Sequence, residues 1–237
     1  MIDLSQQVFW VTGASGAIGR AICEHLHQLG GLVVASGRNL DSLPESRPGL
    51  QRRVVDVTDR HAVDAAAHDI QGEYGRIDGL VTCTTIPGFG DFLTLPDEGW
   101  TAVLDTKLMG SIRPARAVIP AMIDQGRGSI VFISGRGGSV PPPRHLPGAC
   151  ANSALNLLAQ GLATEYGQYG IRINSLAPGP IESPRLEQMK AGVANSRSAL
   201  GGAGKPEDVA HAVSFLLSPS SRHMTGICLP VDGGRAR

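Results

Sequence analysis

Residues 7–39 read QVFWVTGASGAIGRAICEHLHQLGGLVVASGRN, and two structural periods follow one another within them. The apolar run at 8–11 has the length of a buried strand and ends at Gly13 in a glycine-rich bend. From position 17 the apolar residues recur at helical spacing, which predicts a helix with one buried face over 17–29. LVVAS at 32–36 returns as a second strand, so the stretch predicts the opening of a βαβ unit. Within TGASGAIG, Gly13 makes the sharp turn, while Ser15, Gly16, Ala17, Ile18 and Gly19 keep the loop compact. A pyrophosphate can approach such a backbone, and the N–H groups of the following helix favour its negative charge. A tight strand-to-helix connection that binds nothing is the other reading of the same residues.

Further apolar runs follow: RRVVDV at 52–57, IDGLVTC at 77–83, GSIVFIS at 128–134 and IRINSLA at 171–177. They are continuous rather than alternating, as in strands covered on both faces of a parallel sheet. Helices are predicted over 60–74, 98–109, 112–124, 149–167 and 206–217, with a last strand over 226–231. Right-handed crossovers then give one α/β domain over 1–237, a Rossmann-like doubly wound fold with a mainly parallel central sheet. Pro141 to Pro143 and the interval 180–204 read as loops, the latter on the substrate side.

The 237 residues carry 21 basic and 21 acidic side chains, so net charge gives no reason to expect nucleic acid or an anionic membrane as a partner. No apolar run reaches the length of a bilayer span. Cys23, Cys83, Cys150 and Cys228 are far apart and form no CxxC pair, and the first residues lead into a strand rather than a basic, apolar leader. A reducing, cytoplasmic setting is the expectation. His25 and His27 lack a metal-ligand pattern, so no metal is predicted.

Arg38 follows the second strand, where a cation can pair with an adenosine 2′-phosphate; this favours NADP(H) over NAD(H), with an exposed helix-side charge as the alternative. Asp56 and Val57, at the end of the third strand, are expected to face the adenine; an ordinary strand-end cap explains the aspartate equally well.

TGASGAIG, VVDVTD, GSIVFIS, YGIRINSLAPG, KPEDVAHAVSFLLS and TGICLPVDGG stand in the order found in the short-chain dehydrogenase/reductase family, which the chain resembles over essentially its whole length. The resemblance implies a small-molecule substrate and a homotetramer or homodimer, with a hetero-oligomer as a further option. It also implies that LAPGPIES lies beside the nicotinamide. Pro178 and Gly179 then make the turn, Ile181 offers a backbone contact to the carboxamide, and Ser183 supplies a hydroxyl. Ala17 stands where the family has glycine, and Thr82, Cys83, Thr84 and Thr85 replace its Asn-Asn-Ala-Gly turn, with Thr84 either near a ribose or packing the bend.

The family's YxxxK frame falls on Gly148 to Asn152, which places glycine at the tyrosine and Asn152 at the ribose-contacting lysine. Gly148 has no proton to donate, and Asn152 has no ammonium charge to lower a phenol's pKa. Gly135 falls at the serine position, Ser134 stands one residue before it, and Lys107 takes the place of the helix-side asparagine. Ser134, Lys107 and His145 are therefore the candidate catalytic residues, and Arg136 a candidate for binding a substrate carboxylate; packing or a backbone hydrogen bond is the other reading of Ser134, and a helix-surface charge or internal ion pair that of Lys107. Cys150 reads as a small buried helix residue, and Tyr166 and Tyr169 lie too far along the helix to replace the missing phenol.

The expectation is an atypical NADP(H)-binding oxidoreductase that reduces an activated C=C bond or a carbonyl. Two alternatives stand beside it: a noncatalytic cofactor-binding or structural subunit, and a redox-neutral isomerase, lyase or cyclase.

Overall fold

The computed structural model describes residues 2–184, 186 and 198–234. Among these, seven strands form one parallel sheet: β1 (Val8–Thr12), β2 (Leu32–Gly37), β3 (Leu50–Val54), β4 (Gly79–Thr82), β5 (Gly128–Ile133), β6 (Ile171–Pro178) and β7 (Cys228–Val231). Their spatial order is β3-β2-β1-β4-β5-β6-β7. The order reverses between β1 and β4, so a crevice opens beyond the carboxyl ends of those two strands.

Alternation along each strand divides the core in two. Phe9, Val11, Val33, Ala35, Val131 and Leu176 face α1 (Ala17–Gln28) and the helix at Pro206–Leu217. Val8, Trp10, Val34, Ile130, Phe132 and Ile173 face α2 (Arg60–Tyr74), α4 (Gly110–Gln125) and α5 (Leu146–Tyr166). With α3 at Asp97–Val103, the helix at Pro206–Leu217 is α6. Phe9 and Trp10 are both fully buried, one on each side of the sheet. Burying such a side chain contributes roughly 2–3 kcal/mol. The indole also donates to Ser36 Oγ at 2.9 Å, so its one polar group is satisfied inside the core.

The predicted fold class holds, and the differences lie at element ends. No break separates α3 from α4: a π-helical turn over Leu104–Met109 joins them, and Gly110 continues the helix. A Cβ at Gly110 would lie 2.6 Å from Val57 Cγ2, so this glycine allows close approach and does not punctuate the chain. Helix α5 starts at Leu146 rather than at 149, with Pro147 in its first turn, where a fixed φ favours helix and no N–H is missed. Strand β7 begins at Cys228 because Gly226 turns the chain at φ +73°. The predicted loop 180–204 lies partly outside the described residues; its described ends pair with each other, Glu182 N–H donating to Gly204 O at 2.8 Å and Gly204 N–H to Pro180 O at 3.0 Å.

Candidate functional site

The crevice is built backbone against backbone. Gly13 has φ +70°, and a Cβ there would lie 2.5 Å from Cys83 O, so the turn after β1 is pressed against the chain leaving β4. A Cβ at Gly19 would lie 2.3 Å from Gly13 O, which seats the first turn of α1 on that bend. Gly16 is the N-cap and offers no side-chain acceptor, and the first turn contains no acid. The opening amides of α1, at Ala17, Ile18 and Gly19, therefore carry the positive end of the helix dipole into the crevice without a side-chain cap. This is an arrangement that a phosphate completes. Gly16 itself leaves open space, the nearest atom to a built Cβ being 3.7 Å away.

Ser15, Arg38, Asp56, Val57 and Thr84 line the same crevice. Arg38 is exposed at its mouth, just beyond β2. Asp56 accepts from Thr58 N–H at 2.9 Å and Thr58 Oγ1 at 2.8 Å. The Thr58 backbone donor, the largest influence, joins the hydroxyl and the charges of Arg38 and Arg113 in holding its carboxyl below the ordinary range, against burial, the second-largest influence, which raises it. The mouth thus presents a cation beside a carboxylate. Val57 sits against Gly110, and its carbonyl accepts from Arg113 Nη1 at 3.0 Å. Thr84 Oγ1 donates to Thr106 O at 3.0 Å and ties the end of β4 to the π-helical turn. Cys83 in the same wall is a half-buried thiol pushed up to about 11, chiefly by desolvation, and stays protonated at neutral pH.

The other half of the site lies beyond β5. Lys107, on the π-helical turn, is buried and donates to Ser134 O at 3.0 Å. It is an interior cation rather than a helix-surface charge, and π turns of this kind recur at functional sites. Ser134 makes the backbone hydrogen bond that is its other reading: its N–H and Oγ both donate to Leu176 O, at 2.8 and 3.2 Å, so the hydroxyl extends the β5–β6 pairing. Arg136 begins a 3-10 turn, Arg136–Gly138, and its Nη1 lies 2.9 Å from Asp232 Oδ2, with both side chains largely buried. Nη1 of Arg136 thus pairs with a carboxylate of the protein. Cys150, expected to be buried, is exposed.

At the two glycines of the altered frame, a neighbour takes the space. A Cβ at Gly135 would lie 2.8 Å from Asn152 Nδ2. The amide oxygen Oδ1 of Asn152 is buried and has no hydrogen-bond partner among the described residues. A Cβ at Gly148 would lie 2.3 Å from both Cε1 and Nε2 of His145. The imidazole itself stacks on Phe89, with centroids 4.2 Å apart, and its Nδ1 lies 3.2 Å from Gly88 O.

The segment after β6 packs back against the end of β7. Pro178 ends the strand, and Gly179 N–H donates to Val231 O at 2.9 Å. A Cβ at Gly179 would lie 2.9 Å from Asp232 Cα. Ile181 buries its side chain and forms a parallel bridge with Gly204. That bridge uses the backbone groups on either side of Ile181, so its own N–H faces away from Gly204. Ser183 Oγ donates to Ile181 O and accepts from Leu186 N–H, both at 3.2 Å, which makes it a local cap.

Gly13, Ser15, Gly16, Arg38, Asp56 and Thr84 thus line one crevice, while Lys107 bonds to Ser134, Arg136 to Asp232, Asn152 lies against Gly135 and His145 over Gly148. Sequence reasoning missed Phe89 and Asp232. Nothing local marks Phe89, whereas the VDGG run at 231–234 signals a turn that brings Asp232 back to the sheet. Among the described residues no cluster fit to hold a metal ion is present, and no helix is long and apolar enough to cross a membrane.

Comparison with known proteins agrees with this geometry. The family model described as "Enoyl-(Acyl carrier protein) reductase" matches residues 13–236. The chain is 35% identical to the 3-oxoacyl-(acyl-carrier-protein) reductase FabG of Thermotoga maritima, over 98% of each chain. Among solved structures it is similar to a short-chain type dehydrogenase/reductase from Mycobacterium ulcerans, with a TM-score of 0.93 and 26% identity over 98% of this chain and 90% of that one. It is also similar to a gluconate 5-dehydrogenase from Burkholderia cenocepacia in complex with NADP and tartrate, with a TM-score of 0.91 and 27% identity over 98% of this chain and 95% of that one.

Proposed function

Because the chain belongs to the short-chain dehydrogenase/reductase family, we propose that it is an atypical NADP(H)-dependent oxidoreductase acting on a small organic carbonyl or activated alkene. The observation that carries this reading is the crevice at the strand-order reversal. There Gly13 leaves no room for a side chain, α1 presents an uncapped N-terminus, and Arg38 waits where a 2′-phosphate would lie. Asp56 and Val57 fit the adenine side, Thr84 a ribose, and the outward N–H of Ile181 a carboxamide. Asn152 would meet the second ribose through its unpartnered Oδ1, which accepts from a hydroxyl as an ammonium cannot.

A bound reduced nicotinamide supplies hydride; the protein has to orient the acceptor and stabilise the charge that develops on it. Lys107 contributes a buried positive charge on the π-helical turn, and its bond to Ser134 O fixes it between that turn and β5. Calorimetric titration of the purified protein with NADPH, NADH and NADP⁺ tests the reading. NADPH-preferring binding is expected, followed by loss of NADPH absorbance with ketone or enone substrates. Failure to bind all three would overturn it and leave a noncatalytic or redox-neutral scaffold.

A further inference from the structure

The geometry points to His145 as the acid–base residue of this site, its imidazole standing in the space that a side chain at position 148 would otherwise fill. This rests on the proposed oxidoreductase reading and narrows it to carbonyl reduction. A Cβ on Gly148 would collide with Cε1 and Nε2 at 2.3 Å, so glycine at 148 is the condition for the ring to be there. The ring is held from several sides. Phe89 stacks on it at an interplanar angle of 21°, and Nδ1 meets Gly88 O at 3.2 Å. Gly90 N–H donates to Arg144 O at 3.0 Å, which fastens the 88–90 loop to the residue before the histidine.

The backbone is strained to achieve this. Arg144 has φ +61°, a left-handed conformation that costs a non-glycine residue of order 1 kcal/mol and that recurs where function demands it. Gly88 in turn is pressed against α3, since a Cβ there would lie 2.5 Å from Val103 Cγ2. The carbonyl that orients the ring is therefore itself held in place.

The tautomer follows from the partner. A carbonyl oxygen only accepts, so Nδ1 keeps its hydrogen and Nε2 is the nitrogen that gains and loses a proton. Nε2 is also one of the two ring atoms lying over Gly148. In the reaction, the carbonyl carbon gains a C–H bond from the hydride of the reduced nicotinamide, and the C=O π pair moves to oxygen. Because Nδ1 keeps its hydrogen, the donor is the imidazolium: that oxygen takes the Nε2 proton, the ring is left neutral with its hydrogen on Nδ1, and solvent restores the proton to Nε2. The ketone is reduced by two electrons, the nicotinamide is oxidised, and the alcohol leaves. A proton donor placed in this way contributes about 10²–10⁴-fold in rate.

The test has two independent readouts. In ¹⁵N-histidine NMR of the cofactor-free protein, the signals that disappear in His145→Gln should pass, as the pH is raised, from a ring protonated at both nitrogens to a neutral ring that keeps its hydrogen on Nδ1. Gly148→Ala should move those signals, because the new methyl displaces the ring. In turnover with NADPH and the ketones of the screen, both variants should lose at least 100-fold in kcat, with calorimetric NADPH affinity within twofold of wild type. A neutral ring protonated at Nε2, turnover that survives in both variants, or a wild type that binds NADPH yet reduces only enones would each overturn the assignment. Loss of NADPH binding in the wild type would instead strike the oxidoreductase reading, and it is read separately from the tautomer.

Discussion

Glycine does opposite work in the two halves of the site. In the cradle, Gly13 and Gly19 stand where backbone meets backbone, and a Cβ would strike a carbonyl at 2.5 and 2.3 Å that cannot retreat. Beyond β5, Gly135 and Gly148 stand where another residue's side chain has moved in, and a Cβ would strike the ends of Asn152 and His145, which can rotate away. A missing side chain thus means enforced contact in one half and ceded space in the other. The first kind of glycine fixes a fold; the second redistributes chemistry between neighbours.

The difference can be broken or sharpened by substitution. Gly13→Ala combines left-handed strain with a collision against fixed backbone, and should cost about 4 kcal/mol in urea unfolding. A loss of less than about 1 kcal/mol would show that the cradle yields as readily as the other half. Arg136→Ala leaves Asp232 largely buried without its guanidinium, and the loss should be on the order of 3 kcal/mol in the same measurement. An unchanged midpoint would mean that the 3-10 turn needs no anchor.

Arg38→Ala acts on affinity alone. NADPH Kd should rise about tenfold, or about 1.4 kcal/mol, with NADH binding unchanged in calorimetry. Equal losses for both dinucleotides would remove the 2′-phosphate role. Gly148→Ala should have the smallest effect on stability, within about 1 kcal/mol, because helix propensity gained near the start of α5 offsets the displaced ring. A destabilisation comparable to that of Gly13→Ala would abolish the distinction between the halves.

The cradle was legible in the sequence because its determinants are local. Gly13 to Gly19 specify turn and helix start within seven consecutive positions, and the continuous apolar strands specify a sheet covered on both faces. The second half depends on tertiary placement. Ser134 stands one residue before the family's serine position, and only the pairing of β5 with β6 reveals that its hydroxyl goes to Leu176. The position of His145 depends on φ at Arg144 and on a carbonyl 57 residues earlier in the chain, neither of which any local pattern announces. At Gly110 the sequence leaves two readings open: a lone glycine in a helical pattern marks either a stop or a close approach, and Val57, far away in sequence, decides which.

The Arg136–Asp232 pair joins residues 96 positions apart, and that separation sets an order of events while the chain is being made. Every strand that shapes the cradle precedes residue 83, so the cradle's parts leave the ribosome early. The turn that carries Arg136 is synthesised long before its anchor. It stays untethered until β7 and Asp232 have followed, and the half of the site that handles protons is therefore the last to be locked.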